Sequence, residues 1–363
     1  MAALVRMRGE LCASAEAVLQ NAWQQVRDER IKTPVLDFSR VTRIDSPGVN
    51  LLVKLCVQAK RSRRRLLAAG LSPSLKEVFR LTGLEGAVAV HSSAAEALDA
   101  LGIAGEDRPQ LPEDDADAAP MEQGQTDDAF DLCWARPVAR LTVSGAPPEA
   151  ANLNVDGRRP VGPLQGFGPM WEKTYRLCMS DVRVSPAQII ARLKQDLPRF
   201  QPPQNHFYPS SVGVVPGEVV LIDASVSGLP ISTGVLVSYA DDECFTLMTP
   251  QGHPESGWVT FSAFEDAEGT VCQIQGLARA NDPLFEIGFR LLGSKAQEKI
   301  WTHVLTSLAE DLGSEGPVQL TKVRVAPGVQ WSEVKNVRYN AQLYTLAHKA
   351  AWPFRRLRRV LKR

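Results

Sequence analysis

The run from Val35 to Leu52, VLDFSRVTRIDSPGVNLL, constrains the fold of this chain more than any other stretch. Val35–Phe38 is almost entirely apolar, which predicts a buried strand. A polar turn at residues 39–40 and a short return through residues 41–44 are expected to follow. The strand then leads directly into a helix, an arrangement that is typical of α/β domains.

Asp45-Ser46-Pro47-Gly48 marks the predicted start of that helix. Serine is a preferred N-cap and proline is favoured at the first helical position, so Ser46 is expected to cap the helix. A phosphate on Ser46 would also meet the positive end of the helix dipole. Two interpretations stay open: Ser46 only caps the helix, or it is a phosphorylation switch.

Strand and helix patterns alternate throughout residues 1–102. Ala3–Leu11 is predicted to be a strand, and residues 14–27 carry apolar side chains at helical spacing behind Ser14 as N-cap. A second Ser-Pro pair, Ser72-Pro73, predicts another helix start. The alternation predicts an α/β sandwich in which helices cover a mixed sheet.

The segments LDFSRVTRIDSPGVNLL and LLAAGLSPSLKEVFRLTGLEGAVAVHSSAAEAL resemble a STAS domain, the fold of bacterial anti-sigma-factor antagonists. In that family a partner kinase of the anti-sigma type phosphorylates the serine of the Asp-Ser motif. The resemblance implies that Ser46 is phosphorylated and that Asp45, Ser46 and Gly48 contact the partner. Phosphorylation adds nearly two negative charges, which would release the kinase. Pro47 stands where the family usually has a small residue.

Residues 103–165 are predicted to be a largely disordered linker. The part from Glu106 to Thr126, EDRPQLPEDDADAAPMEQGQT, is acidic, rich in Pro and Ala, and almost free of large apolar side chains. Such a segment buries too little surface to offset its ordering entropy. Residues 130–143 contain more apolar side chains and are expected to dock on a domain as an edge strand or short helix.

Residues 166–313 are predicted to form a second domain. A long strand, a helix after Ser185-Pro186, five further strands and one long helix from Asp282 to Leu312 follow in order. This order, with the segments FYPSSVGVVPGEVVLID and PQGHPESGW, resembles the helix-grip fold of the START/birch-allergen (SRPBCC) superfamily. The resemblance implies an antiparallel sheet wrapped round the last helix, and a hydrophobic small molecule bound in an apolar cavity.

Candidate side chains in this domain are three aromatic residues for the cavity and two pairs for acid–base chemistry: Trp258, Phe261 and Trp301; His253 with Glu255; His206 with Tyr208. The aromatic residues are equally compatible with a plain core. His253 is expected to cap backbone groups in a hairpin turn, and no strong nucleophile is paired with a base. We therefore predict no enzyme and no catalytic residue; a helix-grip enzyme using His253 and Glu255 is the lesser alternative.

Residues 314–363 are predicted to be a tail that ends in a basic amphipathic helix, bent at Pro353. Its cations include Arg355, Arg356, Arg358 and Arg359. The helix would either lie on an anionic membrane surface or pack on the second domain or the acidic linker. Periodicity alone does not separate these interpretations.

Composition excludes several classes of function. The 41 Lys and Arg residues balance 41 Asp and Glu residues, so no nucleic-acid partner is predicted. The chain has no apolar run long enough to span a bilayer and its first residues lack a secretory apolar core, which predicts a cytoplasmic protein. The six cysteines have neither CxxC nor Cys/His spacing, so neither a metal site nor a cofactor is expected.

These features predict a cytoplasmic bacterial regulator. Its STAS module would bind an anti-sigma or related kinase under the control of Ser46, and its helix-grip domain would bind a hydrophobic ligand. The alternative is a lipid-handling protein held at the inner membrane face by its basic tail.

Overall fold

A computed structural model describes residues 2–102, 132–226, 228–292 and 295–351 of the 363-residue chain. The chain divides into two compact units, Met1–Pro137 and Val138–Arg363. The acidic stretch from Glu106 to Thr126 and the four tail arginines predicted to contact a membrane or partner lie outside the described residues. No helix of the described part is both long and apolar enough to cross a membrane.

The first unit alternates strands and helices, as its sequence predicts. Its elements are β1 (Ala2–Leu11), α1 (Glu16–Asp28), β2 (Thr33–Ile44), α2 (Ser46–Arg61), β3 (Leu67–Ala69), α3 (Pro73–Thr82), β4 (Ala89–His91) and α4 (Ala94–Asp99). The sheet has the order β1-β2-β3-β4, and every pairing is parallel. The expectation of a mixed sheet was wrong, because every connection between strands crosses over through a helix and so returns the chain in the same direction.

Two further local predictions for this unit were wrong. Residues 39–40 do not form a turn, since β2 runs without interruption to Ile44 and pairs with β1 as far as Leu11. Ser14 does not cap α1, because a short 3-10 turn, Ala13–Ala15, comes first and the helix begins without a side-chain cap. At residues 39–40 the long pairing of β1 with β2 keeps the backbone extended.

The second unit is built on one antiparallel sheet of eight strands. Its elements are β5 (Met170–Met179), α5 (Pro186–Asp196), β6 (Asn205–Tyr208), β7 (Val219–Val226), β8 (Leu229–Ala240), β9 (Cys244–Met248), β10 (Glu255–Glu265), β11 (Thr270–Ala280), α6 (Pro283–Leu292), α7 (Lys295–Leu312), β12 (Gln319–Ala326) and α8 (Ala341–Ala350). The strands lie in the order β12-β5-β11-β10-β9-β8-β7-β6. Side chains from α5 and from the second half of α7 join one face of this sheet in the main core.

Three stretches of this unit differ from their sequence predictions. The single helix expected from Asp282 to Leu312 is two helices, α6 and α7. The tail contributes β12, an edge strand that pairs with β5 and is mostly exposed, so it lacks the apolar alternation by which strands are predicted. Residues 138–165 carry buried side chains, including Val155, which lies against Gly234 of β8.

Candidate functional site

A cavity of about 820 Å³ lies in the second unit. Inward-facing strand residues and helices α6 and α7 supply most of its walls, which are largely apolar: Phe207, Ile231, Val235, Leu247, Ile300 and Trp301. Gly276 of β11 also borders the cavity, and a Cβ added there would meet no atom within 4 Å. The volume is in the range of small-molecule sites, which are typically ~300–1,000 Å³.

One side of the cavity is polar. The Lys173 ammonium donates a hydrogen bond to Gln297 Oε1 over 2.5 Å, and Gln297 Nε2 donates to Glu255 Oε2 over 2.6 Å. Burial lowers the pKa of Lys173, opposed by Glu255 and Glu298, while burial raises the pKa of Glu255 against the effects of Lys173 and Gln297. The neutral Gln297 amide thus lies between an amine and a carboxyl group, and burial disfavours the charged form of both.

His253 also borders the cavity. Its Nδ1 accepts a hydrogen bond from the Glu255 backbone N–H over 3.1 Å, which confirms the prediction that this histidine caps backbone groups in the turn before β10. Burial lowers the pKa of His253 to about 4, outweighing the hydrogen bond to Glu255. The imidazole is therefore neutral at pH 7.

The aromatic residues predicted to line a cavity occupy different places. Trp301 and Trp258 border it, while Phe261 lies deeper in the core, stacked on Phe245 with ring centroids 4.6 Å apart. The pair His206 and Tyr208 lies on β6, where His206 is exposed. Among the residues that the structure describes, His, Cys, Asp and Glu side chains form no metal-binding cluster of three or more.

Sequence reasoning missed the polar side of the cavity. Lys173 and Tyr175 alternate with outward residues in β5 and share a face with core residue Leu177. A lysine on the apolar face of a strand was the available signal. Gln297 gave none, because its partners lie 124 and 42 residues away along the chain.

The start of α2 in the first unit differs from its prediction by one residue. Asp45, not Ser46, is the N-cap, with Oδ1 accepting a hydrogen bond from the Gly48 N–H over 2.7 Å. The prediction that Ser46 caps the helix was wrong, because the aspartate directly before it is an equally good cap. Ser46 is the first helical residue and is only 3% exposed.

Two neighbours enclose this helix start. Gly48 lies against the backbone of Leu11, so closely that an added Cβ would overlap the Leu11 carbonyl oxygen. The Trp134 indole, itself buried, donates a hydrogen bond over 3.0 Å to the carbonyl of Ile44, two residues before Ser46. Enzyme access to the Ser46 hydroxyl therefore requires local opening.

The parallel sheet and the Asp-Ser helix start agree with a family assignment for the first unit. Residues 2–97 match the STAS domain. This STAS domain contains Asp45, Ser46 and Gly48 and makes up about a quarter of the chain. The resemblance seen in the sequence is thereby confirmed for these residues.

Several solved structures are similar to parts of the chain. The phosphorylated Bacillus cell-fate determinant SpoIIAA is 24% identical, with 27% of this chain and 88% of that chain covered and a TM-score of 0.22. A sulfate transporter family protein from Wolinella succinogenes is 21% identical, with coverages of 28% and 84% and a TM-score of 0.26. A protein from Thermus thermophilus is 15% identical, with coverages of 39% and 96% and a TM-score of 0.31.

Proposed function

We propose that the second unit is a helix-grip domain that binds a hydrophobic small molecule in its cavity. The observation that carries this proposal is the cavity itself, with about 820 Å³ of space bordered mainly by apolar side chains. Burying an apolar ligand there gains roughly 25 cal/mol for each Å² of apolar surface removed from water. Helix α7 and the sheet both border the cavity, which supports the helix-grip interpretation.

Filling the cavity tests this function directly. Gly276→Leu adds a side chain where a Cβ has open space, so the fold is expected to survive while the cavity volume falls. Titration with the apolar dye Nile red should show saturable binding to the full-length wild type and at least tenfold weaker binding to Gly276→Leu. Organic extraction of the purified protein followed by mass spectrometry would identify a retained ligand. Equal dye binding by both proteins would refute the cavity as the site.

We infer that the STAS domain is a regulatory module that binds a partner protein, an anti-sigma-type kinase or a related regulator, and that phosphorylation of Ser46 controls the binding. The family match to residues 2–97 supports partner binding. Ser46 is the first residue of α2, so a phosphate on it would lie near the N–H groups of the first helical turn, which supports a role as a switch. Because Ser46 is buried, its modification requires local opening, and the bond from the Trp134 indole to the Ile44 carbonyl is a nearby contact that could hold this region closed.

Incubation with host extract and ATP, followed by phosphate mapping, tests this control. Phosphate is expected on Ser46 and absent from Ser46→Ala. Ser72 is the internal comparison. It is also followed by proline at a helix start, but leucine and not aspartate precedes it, so it should stay unmodified. Trp134→Leu removes the bond to Ile44 and should raise the extent of modification severalfold. Phosphate at Ser72 but not at Ser46 would contradict the assignment.

We propose that the cavity binds its ligand without catalysis. His253 and Glu255 both border the cavity, which is the observation that favours an enzyme. One polar atom of each is engaged within the protein, however, since His253 Nδ1 accepts from the Glu255 backbone N–H and Glu255 Oε2 accepts from Gln297. Recovery of chemically unchanged ligand after prolonged incubation with the protein supports binding alone; a product absent from a His253→Asn control would overturn it.

The cytoplasmic location and the membrane-binding tail remain predictions. Deletion of residues 352–363 is the direct test of the lipid-handling alternative. If the tail is an anchor, the deletion should abolish co-sedimentation with phosphatidylglycerol vesicles. Unchanged sedimentation would remove the reason for that alternative.

A further inference from the structure

Two buried hydroxyl groups at the cavity form no hydrogen bond with any described residue. They are Tyr175 OH on β5 and Thr233 Oγ1 on β8, and their side chains are 1% and 2% exposed. Buried polar groups are nearly always paired, and an unpaired one destabilises the folded state. Both residues border the cavity, so a bound molecule can supply the missing partner.

The two hydroxyls have different surroundings. Tyr175 belongs to the polar side of the cavity, where Glu255 and Glu298 are close enough to reinforce the effect of burial in raising the pKa of the phenol. Tyr175 therefore keeps its proton and offers an O–H donor. Thr233 lies across the sheet from it, with β11, β10 and β9 between their two strands.

The charges around Tyr175 restrict what it can bind. Lys173 donates one hydrogen bond to Gln297 and is under the electrostatic influence of Glu255 and Glu298, and Lys322 is paired with Glu298 over 2.9 Å. The two nearby cations are therefore balanced by two carboxylates. The carboxylates of Glu255 and Glu298 disfavour a further negative charge at the phenol. A neutral oxygen that accepts a hydrogen bond meets no such repulsion.

We propose that the ligand of this cavity is an amphipathic molecule with a neutral oxygen at its head, a ketone or an alcohol, which accepts a hydrogen bond from Tyr175 OH while its apolar body fills the rest of the cavity. This inference rests on the proposed ligand-binding function and names the class of ligand. It separates such ligands from fatty acids, whose carboxylate carries a charge. It also explains why a tyrosine, and not a phenylalanine, stands on this face of β5.

Matched probes of equal chain length test the head group. At pH 8, 2-dodecanone and 1-dodecanol should displace Nile red from the full-length protein at concentrations at least tenfold lower than dodecanoate. Tyr175→Phe should weaken 2-dodecanone binding about tenfold, the loss expected for one hydrogen bond inside a cavity, with each displacement curve referred to the Nile red affinity of the same variant. Equal binding of dodecanoate and 2-dodecanone would overturn the proposal.

Thermal stability provides a second readout. Without ligand, Tyr175→Phe removes an unpaired buried hydroxyl and should raise the Tm by about 2–4 °C. Tyr239→Phe is the matched control, since Tyr239 OH is bonded to Asp241 Oδ2 over 2.6 Å and its loss should lower the Tm. Thr233→Val should raise the Tm without changing the preference for 2-dodecanone. A lower Tm for Tyr175→Phe, or a preference lost in Thr233→Val, would contradict the role of Tyr175.

Ligand binding by the cavity and the role of Tyr175 are refuted by different results. If wild type binds no Nile red, ligand binding by the cavity is refuted and the head-group assignment falls with it. If Nile red binds but 2-dodecanone and dodecanoate compete equally, the cavity function stands and the role of Tyr175 is refuted.

Discussion

The STAS domain and the second unit use their helices in different ways. In the STAS domain α3 packs directly against the sheet, and the Phe79 ring lies edge-on to the Phe38 ring of β2 with their centroids 5.3 Å apart. In the second unit one helix does two things: the later part of α7 fills the core through Leu308 and its neighbours, while its first part borders the cavity at Ile300. The difference teaches that a helix packed on a sheet leaves a cavity wherever its side chains do not reach the opposite wall.

The largest effect is expected where the STAS domain is packed most tightly. Gly48→Val places a side chain on the Leu11 backbone, which cannot move without breaking the pairing of β1 with β2. We expect the free energy of unfolding of this unit to fall by more than about 4 kcal/mol, measured by urea denaturation. Gly86→Ala is the control, because its added Cβ meets nothing within 4 Å. Equal stability of the two variants would show that this helix start is not close-packed.

The next largest effect is expected from substitutions in the two halves of α7, which should lower the free energy of unfolding by different amounts. Leu308 is fully buried in the core, so Leu308→Ala should cost about 2–5 kcal/mol of unfolding free energy. Ile300 borders existing empty space, so Ile300→Ala should cost less than about 1.5 kcal/mol, since fewer contacts are lost. Calorimetry of the two variants measures the difference. Equal losses would mean that the cavity is closed in solution.

The pH dependence of the second unit is expected to report on His253. Its pKa is lowered from 6.5 to about 4, so the folded state binds fewer protons than the unfolded state between these values. Stability is therefore fully present above pH 6.5 and falls as the pH drops towards 4, by up to about 3 kcal/mol. The raised pKa of Glu255 acts in the opposite direction above pH 4.5, so the measurement is best repeated in a Glu255→Gln background.

Variants at the two histidines identify the source of this pH effect. His253→Asn keeps an acceptor for the Glu255 N–H but does not titrate, so thermal unfolding from pH 4 to 7 should lose the His253 contribution. His206→Gln, at an exposed position, should retain the wild-type slope. A slope that is unchanged in His253→Asn would assign the effect to another group.

The smallest effects concern the caps of the STAS domain. Asp45→Ala and Ser72→Ala each remove a side-chain acceptor from a helix N-terminus and should cost about 1 kcal/mol in urea denaturation. Asp45→Asn should retain most of the stability because it keeps the acceptor. Ser46→Ala should cost less than Asp45→Ala, since Ser46 lies inside the helix. The reverse order would restore Ser46 as the cap.

Short-range chemistry made much of the fold predictable. The alternation of strand and helix patterns predicted the order of elements in the first unit, and the Ser72-Pro73 pair predicted a cap that the structure has, with Ser72 accepting from the Leu75 N–H. At Ser72 the preceding residue is leucine, which offers no rival cap. At Ser46 the preceding residue is Asp45, so the same rule allows two helix starts and does not decide between them.

What the sequence determined by itself was therefore local: strand and helix periodicity, turn and cap chemistry, and the STAS motif of the first 97 residues. Tertiary structure decided the parallel sheet, the edge strand β12 and the polar side of the cavity. Lys173 meets Gln297 across 124 residues, and the Tyr175 hydroxyl is left unpaired because none of the described elements brings a hydrogen-bond partner to it. Periodicity describes neighbours within one element, whereas a cavity depends on the distance between elements that meet only after folding.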